Sequence, residues 1–471
     1  MRIADYILMM RFELLTLLLL VSLFTARIFY GNKRPSGIIF LVNATLFIIA
    51  VSGLVMPSEG SLFGDMFISG KVILFEKSLL AFATLLISMQ ANDRLKRDSN
   101  NYHEFYFLLL SVLIGMQLMI SSGHFLMFYL GLEMATIPLA ALAGFDFEKG
   151  RSGEAAVKMI LSSAFSSAIL LFGLSLLYGA CGSLRFSEMA ASFNPAPLPL
   201  LGFAFLIAGF AFKISVVPFH FWTADVYEGA PVPVTTFMSV VSKGAAVFIF
   251  VTVLYKVFGG IHEHWKVLLS VLSAATMTLG NFFAMRQQNI KRFLAFSSIT
   301  QAGYLLAGVA AGTQQSMASV IYFILVYIFS NIAAFTVVSV VSEKTGKENI
   351  DGYKGLYHSN PLLGLVMLLG VFSLAGIPPT AGFFGKFFLL ASASATGMTS
   401  LVVIACLNMI FSLFYYLRIV KAMFVDKGDS SEKIEYSLSA GLVMTICAAG
   451  VLATGFYSAI YHYILSLSSG I

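Results

Sequence analysis

Charged residues are scarce in this 471-residue chain. They make up 11% of the sequence, and 58% of it is apolar, whereas an ordinary soluble domain is about 25% charged. The longest polar stretches, at residues 92–104 and 343–354, run to only about a dozen residues. Because such a chain cannot give a soluble domain a charged surface, the sequence predicts an all-α polytopic membrane protein.

Cysteine is also scarce, and the usual cofactor motifs are missing. Cys181, Cys406 and Cys447 lie far apart with no CxxC pair, so no iron–sulfur or zinc site is predicted. Only His220 of the seven histidines lies well inside an apolar segment, which does not support haem ligation. No phosphate-binding glycine motif is present, so neither ATP nor a nicotinamide cofactor is expected on this chain. The net charge of +6 needs no nucleic acid to explain it.

Apolar stretches of about 20 residues predict about fourteen transmembrane helices. The predicted spans cover residues 10–30, 37–56, 71–91, 105–121, 124–144, 154–178, 198–226, 231–256, 267–285, 293–311, 316–342, 362–395, 401–425 and 438–467. Arg2 and Arg11 precede the first apolar run as in a signal peptide, but no small-residue cleavage site follows. This run is therefore predicted to be the first transmembrane helix.

Basic residues fall mostly in the odd-numbered connections between these spans. They are Lys33, Arg34, Arg94, Lys96, Arg97, Lys149, Arg151, Arg286, Lys291, Arg292, Lys344, Lys347, Lys354, Lys427 and Lys433. The even connections are nearly bare, with Arg185, Lys266 and the boundary residues Lys71 and Lys256 as exceptions. The positive-inside rule places the odd connections in the cytoplasm and predicts both termini on the non-cytoplasmic side.

Two predicted spans are long and interrupted. The seventh contains Pro218, and the twelfth contains the sequence LAGIPPTAGFFGKFFLL at residues 374–390. Proline removes a backbone donor and breaks a helix, and such breaks persist in a membrane only where the freed groups face protein or water. Two breaks five spans apart predict a duplicated five-helix unit, and its odd length predicts inverted repeats.

Four charged residues lie deep in the predicted spans. Lys213 is about 20 Å from either end of its helix at 1.5 Å per residue, too far for its side chain to reach water. An unpaired ammonium there would cost about 3 to more than 10 kcal/mol. Glu133, the only charge of the fifth span, is the predicted counter-ion, while Lys243 is central in the eighth span and Lys386 follows the break in the twelfth.

These residue types suit proton transfer. An apolar site favours loss of the lysine proton, and a nearby carboxylate favours its retention, whereas arginine stays protonated. A static buried charge that fixes helix register is the alternative for each residue, and it explains four charges on broken helices poorly. Lys158 either extends its ammonium toward the cytoplasmic connection or takes part in proton transfer. His220 either caps the broken backbone or relays protons.

Other polar residues in the spans have plainer interpretations. Lys291 and Arg292 are predicted to be positive-inside anchors at the start of the tenth span. Gln301 either holds a water chain or packs, and the sequence leaves both open.

Four motifs resemble one known family. They are LEMATIPLAAL at 132–142, PFHFWTADVYEGAPVPVTTFMSVVSK at 218–243, NIKRFLAFSSITQAGYLLAG at 289–308 and GIPPTAGFFGKFFLL at 376–390. Over most of residues 105–425 the chain resembles the antiporter-like membrane subunits of respiratory complex I. Lysine rather than glutamate in GIPPTAGFFGKF, and the absence of a long lateral helix, make it similar to subunit N of bacterial NADH:quinone oxidoreductase, the relative of mitochondrial subunit 2.

The resemblance implies a fourteen-helix fold with inverted repeats in helices 4–8 and 9–13. The expected division is residues 1–104 for helices 1–3, 105–258 and 259–425 for the two repeats, and 426–471 for the last helix. Matching family positions are Glu133, Lys213, Lys243, Lys386 and Lys158. NADH, FMN, iron–sulfur clusters and quinone are expected on partner subunits and none on this chain. The expected partners are other membrane subunits and lipid, in the bacterial inner membrane.

Two residues depart from the family pattern. Ala224 stands where proline is usual in WTPDVYEG, and Gln301 stands where many members have histidine, so a histidine relay through the tenth helix is not predicted.

The predicted function is proton translocation driven by electron transfer from NADH to quinone in other subunits. A cation/proton antiporter or membrane-bound hydrogenase subunit would share the buried charges, and a non-pumping scaffold is the third possibility.

Overall fold

The computed structural model describes residues 3–31, 37–97, 101–428 and 433–468. Arg2, Lys33 and Arg34, used above to predict the first span and the orientation, lie outside these ranges. The described chain is almost entirely helical, which confirms the predicted class.

The helices and strands follow one another along the chain with short connections. They are α1 (Ile3–Met9), α2 (Arg11–Tyr30), α3 (Ile38–Val55), β1 (Gly60–Leu62), β2 (Phe67–Ser69), α4 (Lys71–Arg97), α5 (Tyr102–Ile120), α6 (Phe125–Ala143), α7 (Gly150–Cys181), α8 (Phe186–Ser192), α9 (Pro197–Ile214), α10 (Phe221–Gly229), α11 (Val232–Phe237), α12 (Lys243–Lys256), α13 (His262–Met285), α14 (Ile290–Ala310), α15 (Gln314–Thr345), α16 (Leu356–Ser359), α17 (Pro361–Ala375), α18 (Ala381–Ala395), α19 (Thr399–Phe424), α20 (Leu438–Phe456) and α21 (Ala459–Leu467). A π-helix covers Met238–Ser242, and 3₁₀ turns cover Gly259–Ile261 and Ile350–Tyr353.

Thirteen helical segments in the described ranges are long and apolar enough to cross a membrane, the segment Val232–Lys256 being counted as one. The shorter apolar helices α17 and α18 flank the predicted break in the twelfth span and together supply the fourteenth crossing. The number of spans is thus as predicted. Several ends differ, because α4 continues to Arg97 and α7 runs over 32 residues.

The last predicted span, residues 438–467, is not one helix. α20 ends at Phe456 and α21 begins at Ala459. Gly455 in the last turn of α20 lies so close to the twelfth-span break that an added Cβ would be 2.9 Å from both the Ala381 nitrogen and the Pro379 oxygen. This close approach explains why position 455 is a glycine.

The chain divides into two compact units. The first comprises Met1–Ile214 and Gly229–Ile261, and the second comprises Ser215–Glu228 and His262–Ile471. Each unit contains wholly or almost wholly buried helices: Val232–Lys256 in the first, and α14 and α15 in the second. By contrast, only 28% of α2 and of α3 is buried. Lys243 therefore sits on the most buried span of its unit, and Gln301 on one of the most buried of the other.

Both predicted helix breaks are present. α9 ends at Ile214 and α10 begins at Phe221, while α17 ends at Ala375 and α18 begins at Ala381. At the second break, Gly376 has a φ of +86°, and an added Cβ on Gly382 would lie 1.6 Å from the Ser373 carbonyl oxygen. Only glycine permits this contact between the two half-helices.

Two features of the first unit were not predicted. Met238–Ser242 forms a π-helix immediately before Lys243 in the eighth span. The connection between α3 and α4 folds into an antiparallel hairpin that pairs Gly60 with Ser69 and Leu62 with Phe67. The hairpin is a small exception to the all-α prediction.

Candidate functional site

In the first unit, Lys213 is buried at the end of α9 and contacts α6. The side chain is 8% exposed, and Nζ donates a hydrogen bond to Thr136 Oγ1 at 2.7 Å. Glu133 precedes Thr136 by three residues on α6, and residues at this spacing share a helix face. The predicted ion pair between Glu133 and Lys213 is not formed in this structure. A neutral hydroxyl holds the ammonium one helical turn from the carboxylate.

Glu133 itself has a buried, unused oxygen. Its Oε1 is enclosed and has no hydrogen-bond partner in the described part of the chain. Burying a carboxylate oxygen without a partner is unfavourable. Glu133 and Lys213 are therefore placed to gain from a small rearrangement that brings them together.

A small cavity beside Lys213 is lined by hydroxyl groups. Its volume is about 10 Å³, and Thr136, Ser163, Ser166 and Ser167 contribute to its wall. That is about the space needed for one water molecule. The sequence analysis missed these α7 serines, although their spacing of three and four residues places them on one helix face.

Lys243 directly follows the π-helix and is 2% exposed. π-Helical turns are frequent at functional sites because they change which way the following side chains point. The structure therefore places the predicted central lysine of the eighth span in the fully buried interior of the first unit.

In the second unit, Lys386 of α18 caps the C-terminal end of α17. Its Nζ donates to the carbonyl oxygens of Leu374 at 2.7 Å and Ala375 at 3.0 Å. These are the last residues of α17, where carbonyl groups lack intrahelical partners and the helix dipole favours a positive charge. Nζ also lies 4.6 Å from the centre of the Tyr304 ring. Lys386 is fully buried and has neutral partners.

Gln301 from α14 joins the same group. Its amide donates to the Leu374 carbonyl oxygen at 2.9 Å and to the Tyr416 hydroxyl at 3.3 Å. Tyr416 is in turn hydrogen-bonded to Ser297. Gln301 therefore shares the Leu374 carbonyl oxygen with Lys386. Its amide belongs to a polar network and does more than fill space between the helices.

The two remaining candidates, Lys158 and His220, lie apart from the Lys213 and Lys386 contacts described above. Lys158 pairs with Glu154 at 2.6 Å, and its side chain is 41% exposed, as expected of a snorkelling lysine. At the break near His220, the Val217 N–H donates to Thr276 Oγ1 at 3.1 Å. His220 is 5% exposed, and its Nδ1 has no partner among the described residues.

Lys291 and Arg292 are more than surface anchors. Lys291 is 5% exposed and pairs with Glu348 at 3.3 Å. Arg292 pairs with Asp225 at 2.6 Å and with Glu228 at 3.0 Å, so one guanidinium holds both carboxylates of α10. In this way α14 fixes the half-helix that follows the first break.

The described residues contain no group of three or more histidine, cysteine, aspartate or glutamate side chains that could hold a metal ion. The polar groups around Lys213 and Lys386 are amines, a carboxyl group, hydroxyls and backbone carbonyl oxygens. Of these, the amines and the carboxyl group are able to bind and release protons.

The family described as NADH:quinone oxidoreductase/Mrp antiporter, TM matches residues 122–412, which include Glu133, Lys213, Lys243 and Lys386. A NADH-quinone oxidoreductase subunit N from Azobacteroides pseudotrichonymphae is 49% identical, covering 98% of this chain and 97% of that protein. This chain belongs to the NADH-quinone oxidoreductase subunit N family. A second subunit N, from Phocaeicola vulgatus, is 48% identical and covers 86% of this chain and 87% of its own length.

Solved structures share the fold of the subunit N family. A chain of respiratory complex I from Thermus thermophilus with bound aureothin is 30% identical, with a TM-score of 0.83 over 95% of this chain and 97% of that one. Chains of an archaeal membrane-bound sulfane sulfur reductase and of an Mrp complex from Dietzia have TM-scores of 0.85 and 0.83 at 22% and 20% identity. The last two show a shared fold only. The resemblance predicted from the motifs is confirmed.

Proposed function

We propose that this chain carries protons across the membrane as a subunit of NADH-quinone oxidoreductase, together with other membrane subunits of that complex. Membership of the subunit N family supports the complex. The observation that carries the proton role is the state of Lys213 and Lys386, two buried amines beside helix breaks that are held by neutral oxygens. An amine with neutral partners can lose its proton when its surroundings change.

The proposed transfer begins with a rearrangement at Glu133. Movement of Lys213 from Thr136 to Glu133 would favour the charged amine, and its return would favour release of the proton. In this scheme Lys243 takes the proton on, and Lys386 is the last donor or acceptor. The position of Lys213 is compatible with this switch, because Thr136, which it contacts, and Glu133 lie on the same face of α6.

The redox chemistry is assigned to other subunits. NADH, FMN, iron–sulfur clusters and quinone would bind there, and this chain would convert the released energy into proton movement. The complex then acts as a translocase in which this chain performs no electron transfer. Lys158 and His220 are proposed as secondary participants, and their surroundings give them less support than the four buried residues have.

The proposed orientation places both termini on the non-cytoplasmic face of a bacterial inner membrane. It accompanies the proposed division into residues 1–104, two inverted repeats at 105–258 and 259–425, and 426–471. The alternating basic connections support the orientation. The two broken spans, five apart, support the repeats.

Cysteine labelling tests the orientation. In a background without native cysteines, Glu148→Cys, in the exposed connection between α6 and α7, is expected to react with an impermeant thiol reagent only from the cytoplasmic side. Glu59→Cys, in the connection before α4, is expected to react only from the other side. A cysteine at Ser469, which lies outside the described residues, is expected to behave like Glu59→Cys. Reaction of Glu148→Cys and Glu59→Cys from the same side would contradict the inverted-repeat proposal.

Replacement of Glu133 tests the proton role. Glu133→Gln is expected to leave the complex assembled and to reduce proton pumping to less than about a tenth of wild type, because the positioned proton-transfer group is lost. Coupled quinone reduction should fall with it, whereas Glu133→Asp should retain part of both activities. Proton uptake by proteoliposomes, normalised to complex content, measures the effect. Full pumping by Glu133→Gln would favour the scaffold interpretation.

A further inference from the structure

A second set of buried charges lies outside the proposed repeats, where α2 and α4 begin. Arg11 and Glu13 come from α2, and Glu76 and Lys77 come from α4. Their exposed fractions are 6%, 5%, 1% and 1%. The sequence analysis missed them, although two adjacent charges inside a span are unusual enough to signal the site.

Two of these charges, Lys77 and Glu13, form an ion pair. The Lys77 ammonium contacts Glu13 Oε1 and lies 4.8 Å from the centre of the Phe67 ring. Arg11 does not reach either carboxyl group. Its guanidinium donates to Ser58 Oγ at 2.9 Å and to backbone carbonyl oxygens, among them that of Leu8 at 2.6 Å.

Glu76 is left without a direct partner. It makes no hydrogen bond or ion pair within the described ranges, and its Oε1 is fully enclosed. The charges of Lys256, at the end of α12, and of Lys77 act on it only through space. An ionised carboxylate in such surroundings is strongly disfavoured. Burial of this kind favours the neutral, protonated form of the Glu76 carboxyl group.

The other elements packed against α4 offer little competing charge. α3, α11 and the π-helix contain no titratable side chain, and the charged residues of α5 are His103 and Glu104 in its first turn. α12 contributes Lys243, Tyr255 and Lys256. Lys77 and Lys256 are thus the cations whose charges act on Glu76.

Glu76 is buried although it lies near the start of its helix. Glu76 is the sixth residue of α4, so its backbone is about 8 Å from the start of the helix at 1.5 Å per residue. A charged side chain at that depth would ordinarily reach water. The neighbouring Lys77 lies against the fully buried ring of Phe67 in β2, and Ser69 Oγ donates to the Ser58 carbonyl oxygen at 2.9 Å. Phe67 of the hairpin thus forms part of the wall of the cluster.

We propose that Glu13, Glu76 and Lys77 form an additional exchangeable proton-binding site in the first unit. The Lys77 ammonium contacts Glu13 and not Glu76, so the proton resides on Glu76. When the ammonium turns from Glu13 to Glu76, Glu76 releases its proton and Glu13 binds it, so the number of protons in the cluster is conserved. This inference rests on the proposed pumping function and adds a site outside both repeats.

Glu76→Gln separates an exchanging proton from a permanent one. Glutamine has nearly the shape of a protonated glutamate, so a permanently protonated Glu76 predicts wild-type pumping in this variant. The exchange site predicts an assembled complex whose pumping is reduced about tenfold. Glu59→Gln is the matched control, because Glu59 lies at the same end and is 60% exposed. It is expected to pump like wild type.

The same assay separates this inference from the proposed function. Loss of pumping in both Glu133→Gln and Glu76→Gln supports the additional site. Loss in Glu133→Gln with wild-type pumping in Glu76→Gln overturns the additional site and leaves the proposed function standing. Wild-type pumping in Glu133→Gln overturns the proposed function, whatever the result for Glu76→Gln.

If Glu76→Gln fails to assemble, labelling of the wild-type complex decides. Dicyclohexylcarbodiimide reacts with protonated carboxyl groups in apolar surroundings, and mass spectrometry locates the modified residue. Glu76 is expected to be modified at low pH and progressively less as the pH rises, while Glu59 stays unmodified. Absent or pH-independent modification of Glu76 would overturn the proposal.

Discussion

Lys213→Arg is expected to abolish proton pumping almost as completely as Lys213→Ala. Arginine keeps the positive charge and is able to pair with Glu133, but it does not release its proton at any accessible pH. A positioned proton-transfer group contributes about 10²-fold or more, so either variant should pump no more than background. The measurement is proton uptake by proteoliposomes containing the assembled complex, normalised to complex content.

A purely structural Lys213 predicts the opposite order. Arginine would then be mild, and alanine would be severe, since removing one partner of a buried pair costs about 3–5 kcal/mol. Lys71→Arg is a suitable control because Lys71 is 62% exposed and pairs with Glu59 at the surface. Near-normal pumping by Lys213→Arg would rule out proton transfer through this side chain.

Lys386→Gln is expected to have a comparably large effect in the second unit. Glutamine is still able to donate a hydrogen bond toward the carbonyl groups at the end of α17, but it does not accept or release a proton. If Lys386 transfers protons, pumping should fall about 10²-fold while the complex stays assembled. The same proteoliposome assay applies, with assembly checked by the yield of purified complex.

Gln301→Leu provides the matched control for this experiment. Gln301 donates to the same Leu374 oxygen as Lys386, so its loss weakens the cap of α17 without removing a titratable group. Pumping by Gln301→Leu should stay close to wild type, within about threefold, since one hydrogen bond contributes about 1 kcal/mol. Equal losses in the two variants would show that Lys386 acts only as a helix cap.

Together these variants distinguish the two ways in which a buried lysine serves a membrane protein. Lys213 and Lys386 both sit beside broken helices, yet Lys213 is held by the Thr136 hydroxyl and Lys386 by backbone carbonyl oxygens. A cap requires only a donor, whereas a proton carrier requires a group with two accessible protonation states. Glutamine and arginine each preserve one of these properties and remove the other.

Local sequence patterns were sufficient to predict the membrane class, the number of spans and both helix breaks. These properties depend on local composition: a span needs a run of apolar residues, and clustered prolines and glycines such as those at residues 376–382 interrupt a helix. The positions of Glu133, Lys213, Lys243 and Lys386 in the spans were readable for the same reason. The motifs also sufficed to identify the family.

The groups that these charges contact became known only from the packing of the helices. Thr136, not Glu133, holds Lys213, and Lys386 closes α17 beside Gln301. Contacts of this kind depend on the rotation and depth of packed helices, which hydropathy does not specify. The ion pair of Lys77 with Glu13 and the contact of Lys77 with Phe67 of the hairpin likewise depend on how these elements pack. Side-chain partners are therefore a property of helix packing, whereas the spans themselves are a property of the sequence.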